Sequence, residues 1–174
     1  VELVDGVEVD VPMDMEYSDP CADPPLYINL SKGYQTLDGD QALQFLRFRK
    51  GNKGKPDLPG GDLGRIKSQQ QFIEAAIEKI LRPSNIGKAP QMIKSYYNNV
   101  DTNIPMDIIL KFAMKAKSFS TEKIQMATLP GEGKYIGGVS YYIPDEEESE
   151  TLVTSMFSDH RTVKNIDEDD QESN

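Results

Sequence analysis

The chain holds one cysteine, one histidine and no tryptophan. Cys21 therefore has no partner for an intrachain disulfide, and no cysteine cluster is available to hold a metal. His160, standing alone, offers no histidine pair to a metal and argues against a Ser-His or Cys-His nucleophile. No run approaches the roughly 20 apolar residues that a membrane-crossing helix needs. Nothing at the start has the charged-then-apolar pattern of a signal segment. Hydrophobic residues make up 37% of the 174, a low share, so we expect an exposed tail or a domain that lacks part of itself. The opening VELVDGVEVDVP already reads as a strand, which points the same way. The length suits one domain with a core and is short for two.

Charge is present but unevenly spread. The net −10 conceals two acidic ends around a basic middle. Residues 1–40 carry ten acids and one base, residues 41–144 eight acids and sixteen bases, and residues 145–174 eleven acids and two bases. A basic middle argues for an anionic ligand there, although lysines that merely solvate helix faces would give the same count. Nucleic acid is a poor fit, because few aromatics lie among the bases and the flanking acids repel phosphate.

Val7, Val9 and Val11 alternate with Glu8 and Asp10, the period of a half-buried strand, and Pro12 stops it. Residues 13–26, with Pro20, Pro24 and Pro25, read as loop. A short strand at 26–30 and a turn at 31–33 follow. Asp38 or Asp40 caps a helix whose apolar face is Ala42, Leu43 and Leu46. A Gly/Pro/Lys loop over 50–61 leads to a longer helix from Asp62, with Ile66, Ile73, Ile77 and Ile80 at helical spacing and Pro83 as its stop. Further helices are expected over about 89–98 and 105–117. A strand is expected over 124–129, then a hairpin or bulge around Gly137-Gly138, and a helix over 145–157. From Asp159 the composition predicts disorder. The resulting class is α/β, a mixed sheet flanked by helices in a three-layer α/β/α arrangement. The few visible strands again point to an incomplete domain.

The stretch from Arg47 to Gln69 carries the chemistry, with seven bases against two acids between Arg47 and Lys67. Arg47 and Arg49 would point to nearly opposite sides of a continued helix. If the chain leaves the helix extended, they point the same way and form a fork suited to phosphate. Asp62, Arg65 and Gln69 share one face of the next helix, near its positive N-terminal end. On spacing alone the stronger claim belongs to a cap-and-pair arrangement, with Asp62 capping its helix and pairing Arg65, while Arg47 and Arg49 lie on the surface.

The run INLSKGYQTLDGDQALQFLRFRK followed by GDLGRIKSQQQFI resembles the LytR-CpsA-Psr (LCP) family. The matching positions are Gly33, Gln35, Leu37, Gly39, Ala42 and Leu43, then the Arg47/Arg49 pair, then Asp62, Gly64, Arg65 and Gln69. VELVDGVEVDVP is similar to the family's early strand, with Asp5 in place of its first glycine. DTNIPMDIILKFA and LPGEGKYIGGVSYYIPDEE are similar to its later helix and hairpin. The resemblance covers most of 1–158, as the C-terminal portion of such a domain, and leaves 159–174 as an acidic tail. One departure stands out: Ser68 occupies a place where the family usually has arginine, and Lys67 would be an imperfect substitute because it lacks the fork.

The resemblance implies a phosphotransferase that moves glycopolymers, of teichoic acid or capsular polysaccharide type, from polyprenyl pyrophosphate carriers to peptidoglycan. It implies that Arg47, Arg49, Arg65 and Gln69 bind the pyrophosphate and that Asp62 with Arg65 serves the chemistry, Asp62 chiefly by orienting an arginine. It also implies Mg2+ held by residues upstream of this chain, with no metal ligand here. The parent protein would be anchored by an N-terminal helix at the extracytoplasmic face of the bacterial membrane. A lipid channel would use faces such as Ile66, Phe72 and Ile73, although each alone reads more simply as core. A non-catalytic module that binds pyrophosphate lipid or a wall polyanion is the competing reading. Met106 and Met114 read as helix packing, Tyr141-Tyr142 as hairpin, and His160 as inert.

Overall fold

Val7, Val9 and Val11 are all buried along β1 (Val7–Val11), as the alternation requires. In this computed structural model, residues 1–115 and 124–157 are described, apart from the side chain of Met114. The chain divides into two units, Val1–Ile124 and Gln125–Asn174. The expected disorder from Asp159, and His160, fall outside the described residues.

In the first unit β1 pairs antiparallel with β4 (Gly33–Leu37), Val7 opposite Leu37 and Val11 opposite Gly33. β2 (Met15–Asp19) pairs antiparallel with β3 (Leu26–Leu30). β3 was expected; β2 corrects the loop expected over residues 13–26. Its sequence, MEYSD, buries only Met15 fully, so its strand character depends on the partner across the ladder and not on its own periodicity. β4 likewise shows little pattern of its own, with Leu37 its one buried residue. The α/β class holds, and the strands of the described residues pair as three two-stranded antiparallel ladders.

Helix α1 (Gly39–Arg47) begins in a capping box. Asp38 Oδ1 accepts from Gln41 N (2.8 Å) and Gln41 Oε1 accepts from Asp38 N (3.1 Å), satisfying two otherwise orphaned donors. Its inward face is Ala42 and Phe45, both buried, with Leu46 packed against the core. Leu43, expected inward, is 57% exposed. The stripe through positions 42, 45 and 46 wins because it carries the larger aromatic surface.

Helix α2 (Asp62–Leu81) starts and stops where the sequence places it, but it buries a different face. Gly64, Ser68 and Phe72 form its buried stripe, and Ile73 and Ile80 are largely exposed. The Phe72 and Phe45 rings meet at 6.4 Å, which locks α2 across α1. Gln71 Nε2 donates to Asp10 O at 3.0 Å and ties the same helix to β1. Short α3 (Pro83–Ile86), α4 (Ala89–Asn99) and α5 (Met106–Lys115) complete the unit.

One ion-pair cluster fixes the far end of α2. Glu8 on β1 accepts from Lys79 Nζ (2.6 Å) and from Arg82 Nη1 (3.2 Å). The hydrogen bond from Lys79 holds the Glu8 carboxyl below the ordinary glutamate range. A depressed folded pKa means stability that is present above the unfolded value, about 4.3, and lost as pH falls through the folded one. Glu8→Gln is therefore expected to destabilise by about 2 kcal/mol at neutral pH. It should also flatten the acid limb of a denaturant-midpoint-versus-pH curve; an unchanged limb would show that the cluster contributes nothing.

In the second unit, β5 (Gly131–Ile136) and β6 (Val139–Pro144) form the expected hairpin about Gly137 and Gly138, both at positive φ. Helix α6 (Glu146–Phe157) follows, with the Asp145 carboxylate accepting from Glu148 N at 2.8 Å as its cap. The strand expected over 124–129 does not form; no described strand pairs with it, and a lone extended segment has no ladder to stabilise it.

Candidate functional site

The RFR run marks the end of α1, with Arg47 its last helical residue. Phe48 follows the helix in extended conformation, φ −64° and ψ 129°, and its ring is buried while Arg47 and Arg49 are exposed on either side of it in the chain.

The N-terminus of α2 meets this exit through glycines. Gly61, the N-cap, sits at φ 55° and ψ −112°, and no side chain caps the helix; Asp62 instead lies inside the first turn. Gly64 lies against the loop so closely that a Cβ there would stand 2.2 Å from Pro59 O. That backbone-to-backbone approach, with Leu58 buried beside it, clamps the loop onto the helix and brings Asp62 and Arg65 to the end of α1.

Asp62 Oδ1 is the meeting point. Arg65 Nη2 lies 2.6 Å from it and Arg49 Nε 3.9 Å from the same oxygen. All three side chains are a third to a half exposed, so as stabilising pairs they count for little; as a way of holding two guanidiniums together they count for more. Arg65 Nε is buried with no hydrogen-bond partner. An unmatched buried donor of this kind calls for an explanation beyond surface ion pairing.

The other expected members are placed differently. Arg47 is exposed and has no ion-pair partner among the described residues. Gln69 Nε2 donates to Leu46 O at 3.1 Å, one of the last carbonyls of α1 that the helix leaves unpaired. Its amide thus holds α1 in place one residue before Arg47. Ser68 is buried and Lys67 exposed, so Lys67 does not point where Ser68 does. Asp62 accepts two arginines, and among the described residues no group of three or more His, Cys, Asp or Glu could hold a metal ion; these residues do not by themselves fit a magnesium site.

Sequence spacing had no means of finding the Gly64–Pro59 clamp or the Gln69–Leu46 bond, because both lie between segments. An apolar cavity of about 670 Å³ between α3, α4 and α5, lined among others by Ile86, Ile93, Tyr97, Met106 and Leu110, was equally illegible. Of the expected lipid-facing residues, Phe72 is in the core, Ile66 half-buried and Ile73 exposed. Met106, expected to pack, is half-exposed and lines this cavity.

The family profile described as the LytR_cpsA_psr family matches residues 1–158. The chain belongs to that family. It is 33% identical over 148 residues to the polyisoprenyl-teichoic acid–peptidoglycan teichoic acid transferase TagV of Bacillus subtilis strain 168, covering 83% of this chain and 36% of that protein. To the TagU transferase of the same description from Oceanobacillus iheyensis it is 36% identical over 124 residues, covering 69% of this chain and 35% of that one. The crystal structure of B. subtilis TagV superposes with a TM-score of 0.69 at 30% identity, over 91% of this chain and 57% of that one. The chain thus spans little more than a third of the length of these curated relatives.

Proposed function

We propose that this chain supplies the arginine wall of a glycopolymer transferase, a site that holds the pyrophosphate of a polyprenyl-linked polymer during transfer to peptidoglycan. The observation that carries the reading is the pair of guanidiniums, Arg49 and Arg65, held on one Asp62 oxygen at a helix N-terminus without a side-chain cap. Such an array matches a pyrophosphate, whose charge is spread over several oxygens and is bound best by forked donors and the positive end of a helix.

In the transfer, an acceptor hydroxyl would attack the phosphorus bearing the glycopolymer. The bond to the bridging oxygen breaks, polyprenyl phosphate leaves, and the hydroxyl proton passes to solvent or to a base. Chemistry of this kind needs charge neutralisation more than covalent help. Arg49 and Arg65 would bind and neutralise phosphate oxygens, Asp62 would keep their planes aligned, and Gln69 would act through α1, whose end it positions. Mg2+ would add a further positive charge at the phosphates, with its ligands outside the described residues. The lipid needs an apolar lining, which the α3–α5 cavity has at a size suited to part of a chain. No helix of the described residues is long and apolar enough to cross a membrane. The parent protein would work at the extracytoplasmic face, anchored by a segment beyond these residues.

Calorimetry with a polyprenyl pyrophosphate, with and without magnesium, tests the reading. Saturable binding that magnesium strengthens, with polymer transfer in the parent protein, is the expected result. Binding indifferent to magnesium and without turnover would favour the non-catalytic module instead; no binding would remove both.

A further inference from the structure

After Arg47, the last residue of α1, the loop to α2 carries Arg49, Lys50, Lys53 and Lys55 before its first acid, Asp57. It is also fastened throughout. Leu58 is buried and its N–H donates to Arg49 O (3.2 Å). Gly51 N donates to the Asp57 carboxylate (3.1 Å), and the Asn52 side chain accepts from Ser18 N (2.6 Å) and donates to Ser18 O (3.0 Å). Lys55 N donates to Asn52 O (2.8 Å), closing a turn with Gly54 at φ +87° and Lys53 at its tip. Lys55 pairs with Glu16 and Arg49 with Asp62. The side chains of Arg47, Lys50 and Lys53 remain exposed, with no hydrogen-bond or ion-pair partner among the described residues. The fastenings use backbone, Asn52 and the neighbouring acids, and they leave these three cations free on a fixed frame.

We infer that Arg47, Lys50 and Lys53 form a track for the phosphodiester backbone of the glycopolymer itself, leading away from the Arg49–Asp62–Arg65 group. The inference rests on the function proposed above and adds the part of the substrate that the arginine wall does not hold. Successive members are three residues apart, so their Cα atoms lie at most about 10 Å apart. Lysine is a point charge without a fork; a spaced series of such charges suits a row of phosphates better than a single pyrophosphate. Because the loop is already fastened, little ordering cost opposes binding. An anionic membrane surface would meet the same charges, but interfacial binding also calls for large apolar side chains beside them. The loop itself, residues 48–61, exposes none; the exposed leucines nearest along the chain, Leu43 and Leu63, stand on the flanking helices, one on each side.

The test compares the full chain with its Lys50→Gln/Lys53→Gln variant, using three probes at several salt concentrations: lipid-free poly(glycerol phosphate), inorganic pyrophosphate, and phosphatidylglycerol vesicles. The variant is expected to bind the polymer about 10-fold more weakly, with the slope of log affinity against log salt reduced by about 1.5. Its affinity for pyrophosphate should be unchanged, and Lys50→Arg/Lys53→Arg should restore polymer binding. Polymer binding that keeps its affinity and slope in the glutamine variant, while pyrophosphate still binds, overturns the track and leaves the arginine site standing. Loss of pyrophosphate binding in the variant overturns it too, by moving the lysines into that site, as does an effect seen only with vesicles. If the unaltered chain does not bind pyrophosphate, the arginine-site reading fails and the track with it.

Discussion

Arg65→Ala is expected to reduce polyprenyl pyrophosphate binding and transfer by the parent protein by about 100-fold, the usual scale for removing one fixed donor from a charge-stabilising site. Arg65 is the more closely held of the two guanidiniums on Asp62, at 2.6 Å against 3.9 Å for Arg49, and it is the one with an unmatched inward donor. Folding should hardly change, because the pair it makes is half in solvent and such pairs contribute little. Arg65→Lys should recover only part of the loss, since lysine keeps the charge without the fork. Asp62→Asn separates holding from binding: it keeps an acceptor for one arginine and removes the charge. We expect turnover to fall about 10-fold with affinity nearly intact. Equal affinities for Arg65→Ala and the unaltered protein, measured by titration calorimetry, would show that this cluster is not where the anion binds.

Gly64→Ala should be the most damaging single methyl in the chain. The added Cβ would stand 2.2 Å from Pro59 O and 3.1 Å from the Leu58 side chain, and a backbone carbonyl cannot swing aside as a side-chain tip can. Overpacking of that kind costs about 3 kcal/mol, visible as a lower denaturant midpoint. The same shift would lift the loop from α2 and separate Arg49 from Asp62, so pyrophosphate affinity should fall even at temperatures where the variant stays folded. A variant of native stability and native affinity would mean that the loop yields freely, and the clamp would then not be what aligns the site.

The helices were legible because capping and stopping signals are local. Asp38 with Gln41, Pro83 after α2 and the glycine pair of the hairpin each act within a few residues, and the structure uses them where they stand. The faces were less legible. The isoleucines of α2 recur at helical spacing, yet Gly64, Ser68 and Phe72 are what α2 buries, because Phe72 finds Phe45 on another helix and Gly64 finds a carbonyl on a loop. Likewise β2 and β4 hold too few apolar residues to announce themselves and exist through the partners that complete their ladders. The expected strand over 124–129 erred the other way, with apolar residues but no described partner.

The Arg47-to-Gln69 stretch drew attention by its residue types and its family resemblance, and spacing placed Asp62 and Arg65 on one helix face. By itself, then, the sequence determined the family, the places of the longer helices and of the hairpin, the charge of the middle segment and the residues that carry the candidate chemistry, since all of these are properties of neighbours along the chain. Tertiary structure alone decided that Phe48 buries its ring between two exposed arginines, that Arg49 meets Asp62 across the loop, and that Gln69 steadies α1 instead of standing free. It also decided which lysines of the loop remain without partners among the described residues. Each of these depends on which groups meet across the core, a matter of packing between segments that no local signal encodes.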